Sequence, residues 1–295
     1  MKKSVVKKSI LERLLNIILP FYCRGCGRAG DLLCDSCRNN IKVVGEVAVL
    51  PGRRDRERKR EGADRRTEES KWRDEADERM VNRLFVVGRR EGALKKLVED
   101  YKFKSIKGVA EILAELLDEA LPEWLGESAE AAEQKDADAT EAADRGGEVV
   151  VVPLPTIRKH IRERGFDHTL RLAEELARRR NFVMSPVLKR MNKTVQVGAD
   201  EETREKQAEQ AYAVDFKIVR AVGLVRWAAS GAGGVRLGQA PSGVGEELED
   251  ERLRDVVYLL LDDVWTTGAS MQAAAKQLRA AGAKRILGAV VCKSS

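Results

Sequence analysis

Aromatic residues make up only 5% of the 295 positions and are scattered, so a run of stacking platforms for unpaired bases has little to be built from. Proline is scarce at seven residues, and His160 and His168 are the only histidines. An isolated histidine is more often a polar surface residue than a catalyst, and His160 is read that way. No apolar run approaches the ~20 residues that a bilayer-spanning helix needs. The opening MKKSVVKKSILERLLNIILPFYC has a basic start and a short apolar stretch, but Glu12, Arg13 and Asn16 interrupt it and no small-residue cleavage site follows. Leu11, Leu14, Leu15, Ile18 and Leu19 instead fall at helical spacing, which predicts a short amphipathic helix. The expected location is the cytoplasm.

Charge, by contrast, is abundant at 35% of residues, and it is unevenly spread. Residues 123 to 148 carry nine acids and two bases, a local charge of −7. The whole chain is +6, so the remainder is about +13. A body this basic favours polyanionic ligands such as phosphates or nucleic acid. Residues 52 to 79 mix eleven bases with ten acids and almost nothing apolar, which reads as a solvated linker. The acidic, alanine-rich stretch 126–147 and the stretch 221–247, with seven glycines, read as insertions or surface loops.

Ordered elements are expected between these segments. Ala93, Leu94, Leu97, Val98 and Tyr101 keep helical spacing, as do Val109, Ile112, Leu113, Leu116 and Leu117. EVVVVPLP (148–155), VVYLLLDD (256–263) and RILGAVV (285–291) are continuous apolar runs, and helices are expected over 170–180 and 270–281. Buried strands alternating with helices predict an α/β core, a parallel sheet flanked by helices.

Four of the five cysteines, Cys23, Cys26, Cys34 and Cys37, form two C-x-x-C knuckles seven residues apart. Knuckles this close can converge as four thiolates on one tetrahedral Zn²⁺, a structural site with no open position for water. Disulfides are the rival reading, but they suit secreted chains, and nothing here reads as secreted.

The stretch LLLDDVWTTGAS (259–270) runs a greasy strand into two adjacent acids. Burying a carboxylate is costly unless it is paired or solvated. In a parallel α/β sheet, ligands bind beyond the carboxyl ends of the strands. Asp262 and Asp263 are expected at that edge, where they can hold sugar hydroxyls. Thr266, Thr267, Gly268, Ala269 and Ser270 follow into a helix whose N-terminal N–H groups can cradle a phosphate. The combination describes a ribose 5-phosphate site. RKHIRERG gathers Arg158, Lys159, Arg162 and Arg164 just after another strand end, and guanidinium groups there suit phosphate oxygens.

VVYLLLDDVWTTGAS resembles the phosphoribosyl diphosphate (PRPP) motif of type I phosphoribosyltransferases. With the four-cysteine knuckles, EGALKKLVEDYKFKSIKG (91–108), VVPLPTIRKHIRERGFDHTLRLAEELA (151–177) and, more weakly, KTVQVGADEETREKQAEQAYAV (193–214), the chain is similar to the ComF/GntX-like family. The resemblance implies residues 1–50 as a helix and zinc finger, 51–80 as a charged linker, and 81–295 as a type I phosphoribosyltransferase-like domain. It implies that Asp262 and Asp263 bind the ribose hydroxyls and that Thr266 to Ser270 wrap the 5-phosphate. Val152, Pro153, Leu154 and Pro155 would lie near pyrophosphate with Arg164, and Mg²⁺ would accompany PRPP. Transfer would be attack on C1 of PRPP with loss of pyrophosphate. The family also implies a link to DNA uptake and competence, with single-stranded DNA or competence proteins as partners. The alternative is an accessory protein that senses PRPP or nucleotides, or binds single-stranded DNA, without catalysis. Three departures stand out: Asp167 and His168 replace Asn-Gln, Trp265 is bulkier than usual, and Thr194-Val195-Gln196 replaces a proline-containing segment.

Overall fold

The computed structural model describes residues 21–48, 80–81, 83–104, 106, 108–126, 148–191, 211–215 and 256–294. The helix expected before residue 20, the charged stretch 52–79, residues 127–147, Thr194 to Gln196 and the glycine-rich stretch 221–247 lie outside them.

A short antiparallel pair, β1 (Phe21–Tyr22) and β2 (Ala29–Gly30), precedes the one-turn helix α1 (Asp35–Asn39). β3 (Gly45–Ala48) and β4 (Arg83–Arg89) follow, then α2 (Gly92–Lys104) and α3 (Val109–Ala120). Next come β5 (Val149–Pro153), α4 (Arg158–Arg164), α5 (His168–Arg180) and β6 (Val183–Met184). β7 (Leu188–Arg190) and β8 (Tyr212–Val214) pair as a separate antiparallel ribbon. The chain closes with β9 (Val257–Trp265), α6 (Ala269–Ala280) and β10 (Arg285–Lys293).

The main sheet has six strands in the order β3-β4-β10-β9-β5-β6. Five run parallel, as the unbroken apolar runs predict, but β3 is antiparallel to β4, so the sheet is mixed. An antiparallel edge on an otherwise parallel sheet is a common arrangement. β3 ends two residues before position 50, so the segment predicted as a separate N-terminal unit contributes a strand to the main sheet.

Strand alternation divides the core in two. Phe85, Val87, Val151, Leu259, Leu261 and Ala289 face α2, α3 and α5. Leu84, Val86, Val150, Val152, Leu260 and Val290 face α6 and the β7–β8 ribbon. The amphipathic α3 buries Leu113, Ala114, Leu116 and Leu117 almost completely, as the i, i+3, i+4 spacing requires. Gly288 lets α6 lie close on the sheet, because a Cβ there would stand 2.6 Å from Met271 Sδ.

The order of strands locates a crevice. β5 is followed by α5 on one face and passes outward to β6, whereas β9 is followed by α6 on the other face and passes to β10. β5 and β9 are neighbours, so the direction of winding reverses between them. Such a switch point opens a ligand crevice beyond the carboxyl ends of the two strands.

Candidate functional site

A cavity of about 270 Å³ occupies this place. Its floor and walls come from the loop after β5 (Leu154, Pro155, Thr156, Ile157), from Asp262 of β9 and from the β7–β8 ribbon. Among the described residues three basic side chains line it, Lys102 from α2, Arg164 from α4 and Arg190 from β7, against a single carboxylate, Asp262. Thr156, Thr169, Ser270 and Tyr212 add hydroxyls. This lining suits a polyhydroxylated ligand that carries phosphate groups.

The two acids do not share a surface. β9 runs on past them to Trp265, with Asp262 beside Val290 and Trp265 beside Lys293 of β10. The strand therefore does not stop at the acids as predicted, and alternation sends them to opposite faces. Asp262 follows Leu260 to the α6 side and lines the cavity; its Oδ1 accepts the Asp263 backbone N–H at 2.8 Å. Asp263 follows Leu261 to the side of α2 and α5 and is only 3% exposed, so it is not the solvated edge acid that was expected. Its Oδ2 is 2.8 Å from Lys102 Nζ and 3.0 Å from His168 Nε2.

Their electrostatics diverge accordingly. Burial, and then the neighbouring Asp263 charge, push the Asp262 carboxyl up to about 8. Burial also acts to raise Asp263, but the His168 hydrogen bond and the Lys102 ammonium overcome it and hold the carboxyl down at about 2. The opposed shifts thus favour the negative charge on Asp263 over Asp262.

His168 is 6% exposed and is no surface residue. Its Nδ1 lies 3.1 Å from Arg164 Nη1 and 3.3 Å from Thr156 Oγ1. A guanidinium can only donate, so Nδ1 is the acceptor and the ring proton sits on Nε2, the nitrogen 3.0 Å from Asp263 Oδ2. Tyr101 Oη donates to the His168 carbonyl at 2.7 Å and packs its ring edge-on against the imidazole. Asp167, the other departure from the resemblance, caps α5: its Oδ1 accepts Leu170 N at 3.2 Å and the Thr156 hydroxyl at 2.9 Å. Thr169 Oγ1 donates to Leu154 O at 2.7 Å, so cap and loop are tied together beside the cavity.

Of the basic cluster in α4, Arg164 and His160 line the cavity, while Arg158, Lys159 and Arg162 point to solvent. Arg164 stands over the Phe103 ring at 5.5 Å. Ser270 and Leu154 line the cavity, but Thr266, Thr267, Gly268 and Ala269 do not. Thr266 and Thr267 are exposed at the N-terminus of α6, where Thr267 Oγ1 accepts Ala269 N at 3.4 Å. Pro153 is buried within β5, paired with Leu261, and Pro155 takes the cavity position instead. Trp265 neither narrows nor covers the cavity. It is buried in the α6-side core beneath Gly268, where a Cβ would meet Trp265 Cζ2 at 2.1 Å. Gly268 also has φ of 82°, so both sterics and backbone demand glycine here.

Sequence reasoning did not single out Lys102, Thr156, Arg190, Tyr212 or the buried role of His168. Lys102 lay in a stretch quoted for resemblance, but Arg190 and Tyr212 come from a ribbon whose strands are three residues long and carry no periodic signal. Arg190 Nη1 donates to Tyr212 Oη at 3.0 Å.

At the other end of the chain the four predicted cysteines converge. All four Sγ atoms lie within 4.8 Å of one another, with Cys26 and Cys34 at 3.7 Å. Tetrahedral Zn–S bonds of ~2.3 Å require S···S separations of about 3.8 Å, so the set can hold a metal such as zinc. Gly25 makes room, since a Cβ there would stand 2.5 Å from Cys37 Sγ. Burial acts to raise the Cys23 thiol, but N–H groups of Cys34, Cys26 and Gly25 outweigh it and bring the thiol down to about 6. The knuckles dock on the main body through Arg38 to Glu115 (2.9 Å) and Glu119 (2.5 Å), and through Arg24 to Asp100 (3.4 Å). The fifth cysteine, Cys292, is buried in β10, and burial pushes its thiol up to about 12.

Neither a scan of protein-family models nor a search of curated proteins finds a match to this chain. No helix among the described residues is long and apolar enough to cross a membrane.

Proposed function

We propose that the chain binds PRPP in the crevice between β5 and β9 and transfers its 5-phosphoribosyl group, within a type I phosphoribosyltransferase-like fold. The observation that carries this reading is one carboxylate, Asp262, facing three cations, Lys102, Arg164 and Arg190, in one cavity at a switch point. Asp262 would accept the ribose hydroxyls. Ser270 and the N-terminal N–H groups of α6 would receive the 5-phosphate. Arg164 and Lys102 would hold the pyrophosphate.

Mg²⁺ fits this site as a companion of the substrate rather than of the protein, because among the described residues Asp262 is the only carboxylate that lines the cavity. When bound, it would neutralise charge on the leaving pyrophosphate. The protein's own share is to fix the sugar, exclude water and place cations on the leaving group. The four-cysteine cluster would hold a structural Zn²⁺.

A thermal-shift comparison of PRPP with Mg²⁺, ribose 5-phosphate and pyrophosphate tests the assignment, since a ligand that binds only the folded state raises its apparent stability. PRPP should give the largest shift, and Asp262→Ala should abolish it. A link to DNA uptake rests on the resemblance alone. Titration with single-stranded DNA across a salt series addresses it, because contact with phosphates weakens steeply as salt rises.

A further inference from the structure

The proposed reaction needs more than a held sugar: the attacking group must lose a proton if it is neutral. Among the described residues that line the cavity, His168 is arranged to take it. His168 Nε2 is fixed at 3.0 Å from Asp263 Oδ2, and both side chains are buried. Its other nitrogen, Nδ1, is unprotonated and lies among cavity-lining groups, Arg164 Nη1 and Thr156 Oγ1. A base whose far nitrogen lies against a buried carboxylate, with its near nitrogen at the reacting space, is the general arrangement of an activated proton acceptor.

We propose that His168 is the general base for the acceptor substrate, with Asp263 as its positioning residue, so that the acceptor is a neutral nucleophile bearing N–H or O–H. The proposal rests on the phosphoribosyl-transfer reading and gives it an acceptor class. In the resting cavity Arg164 occupies Nδ1. The pyrophosphate of PRPP offers Arg164 charged oxygens, and a guanidinium bonds these more strongly than a neutral imidazole. Substrate binding thus draws Arg164 away and frees Nδ1.

The acceptor then gives its proton to Nδ1 while its electron pair forms the bond to C1. The C1–O bond to pyrophosphate breaks, and its pair leaves with pyrophosphate. The resulting imidazolium faces the Asp263 carboxylate, and its proton passes to solvent. The charged and titratable groups around the ring are Asp263 from β9, Lys102 and Tyr101 from α2, and Arg164 from α4. Lys102 sits on the same Asp263 oxygen, so the carboxylate stays ionised and cannot itself accept the proton.

The test uses the full chain with PRPP and Mg²⁺ and reads pyrophosphate release with ammonia, adenine and orotate as protic acceptors and azide as a nucleophile that needs no base. His168→Gln retains an amide donor toward Asp263 but cannot take up a proton. Its PRPP affinity, measured by calorimetry, should stay within about threefold of wild type. Release with the protic acceptor used by wild type should fall by about 100-fold or more, and azide should restore it. Equal loss with azide, or no loss with either nucleophile, overturns the role of His168. So does a wild-type protein that binds PRPP but releases no pyrophosphate with any of the protic acceptors. Absence of PRPP binding by wild type overturns instead the reading beneath it. If His168→Gln does not fold, imidazole ¹⁵N spectra of wild type decide, and with only two histidines the signals are readily assigned. A bare Nδ1 and protonated Nε2 support the proposal, and the opposite tautomer refutes it.

Discussion

PRPP binding should release a proton, and the proton should come from Asp262. Its carboxyl is pushed up to about 8 by burial and by the adjacent Asp263 charge. To accept two ribose hydroxyls it must be ionised, so only the ionised fraction is competent to bind. That fraction is about 0.01 at pH 6, about 0.1 at pH 7 and about 0.9 at pH 9, and the apparent affinity scales with it. The dissociation constant should therefore fall by about 100-fold between pH 6 and pH 9. At pH 7 the complex should release about 0.9 proton, since nine sites in ten start protonated. Calorimetry in buffers of different ionisation enthalpy measures both quantities. The substrate's own phosphates titrate near pH 6, and Asp262→Asn isolates that contribution because its side chain cannot ionise. A flat affinity, or the same proton release in Asp262→Asn, would show that Asp262 is not the sugar ligand.

Other expectations follow from the same geometry. Because the folded pKa of Asp262 is raised, its contribution to stability is full below about pH 4 and is lost as pH rises through about 8; Asp262→Asn should flatten this slope in chemical denaturation. Asp263 has the opposite sign: its contribution is present above about pH 4 and is lost as pH falls toward 2, a loss that Asp263→Asn should remove. Gly268→Ala drives a Cβ into Trp265 and strains a left-handed backbone, so it should cost at least about 2 kcal/mol and lower Tm by about 4–8 °C or more. Metal analysis should find about one zinc per chain. Cys26→Ser should lose that metal and expose residues 23–37 to proteolysis, and a knuckle that stays folded without metal would contradict the assignment.

The core of the sheet was legible because β5, β9 and β10 are buried on both faces and read as unbroken apolar runs, while α3 and α6 carry a clear apolar stripe. β4 has a similar run, Leu84 to Val87, but charged residues crowd it on both sides and it was not recognised as a strand. The antiparallel edge β3 and the β7–β8 ribbon are too short for any period to develop. At the site, LLLDD announced a strand with acids, but adjacency in sequence hid a separation in space. Period two turns Asp262 into the cavity and Asp263 away from it, a distinction that follows from alternation once the strand is known to reach Trp265. Arg164 was visible because it sits at the end of a charged helix just past a strand. His168 was not, because its role depends on Asp263 arriving from a strand 95 residues later. The four cysteines were the most legible feature, since ligand spacing within a knuckle is local.

The most direct test of the PRPP site is the crystal structure of the protein with PRPP and Mg²⁺. The ribose hydroxyls should lie within hydrogen-bond distance of Asp262, the 5-phosphate at Ser270 and the N-terminus of α6, and the pyrophosphate beside Arg164 and Lys102. An empty crevice at saturating PRPP, or a ligand bound elsewhere on the molecule, would contradict the account.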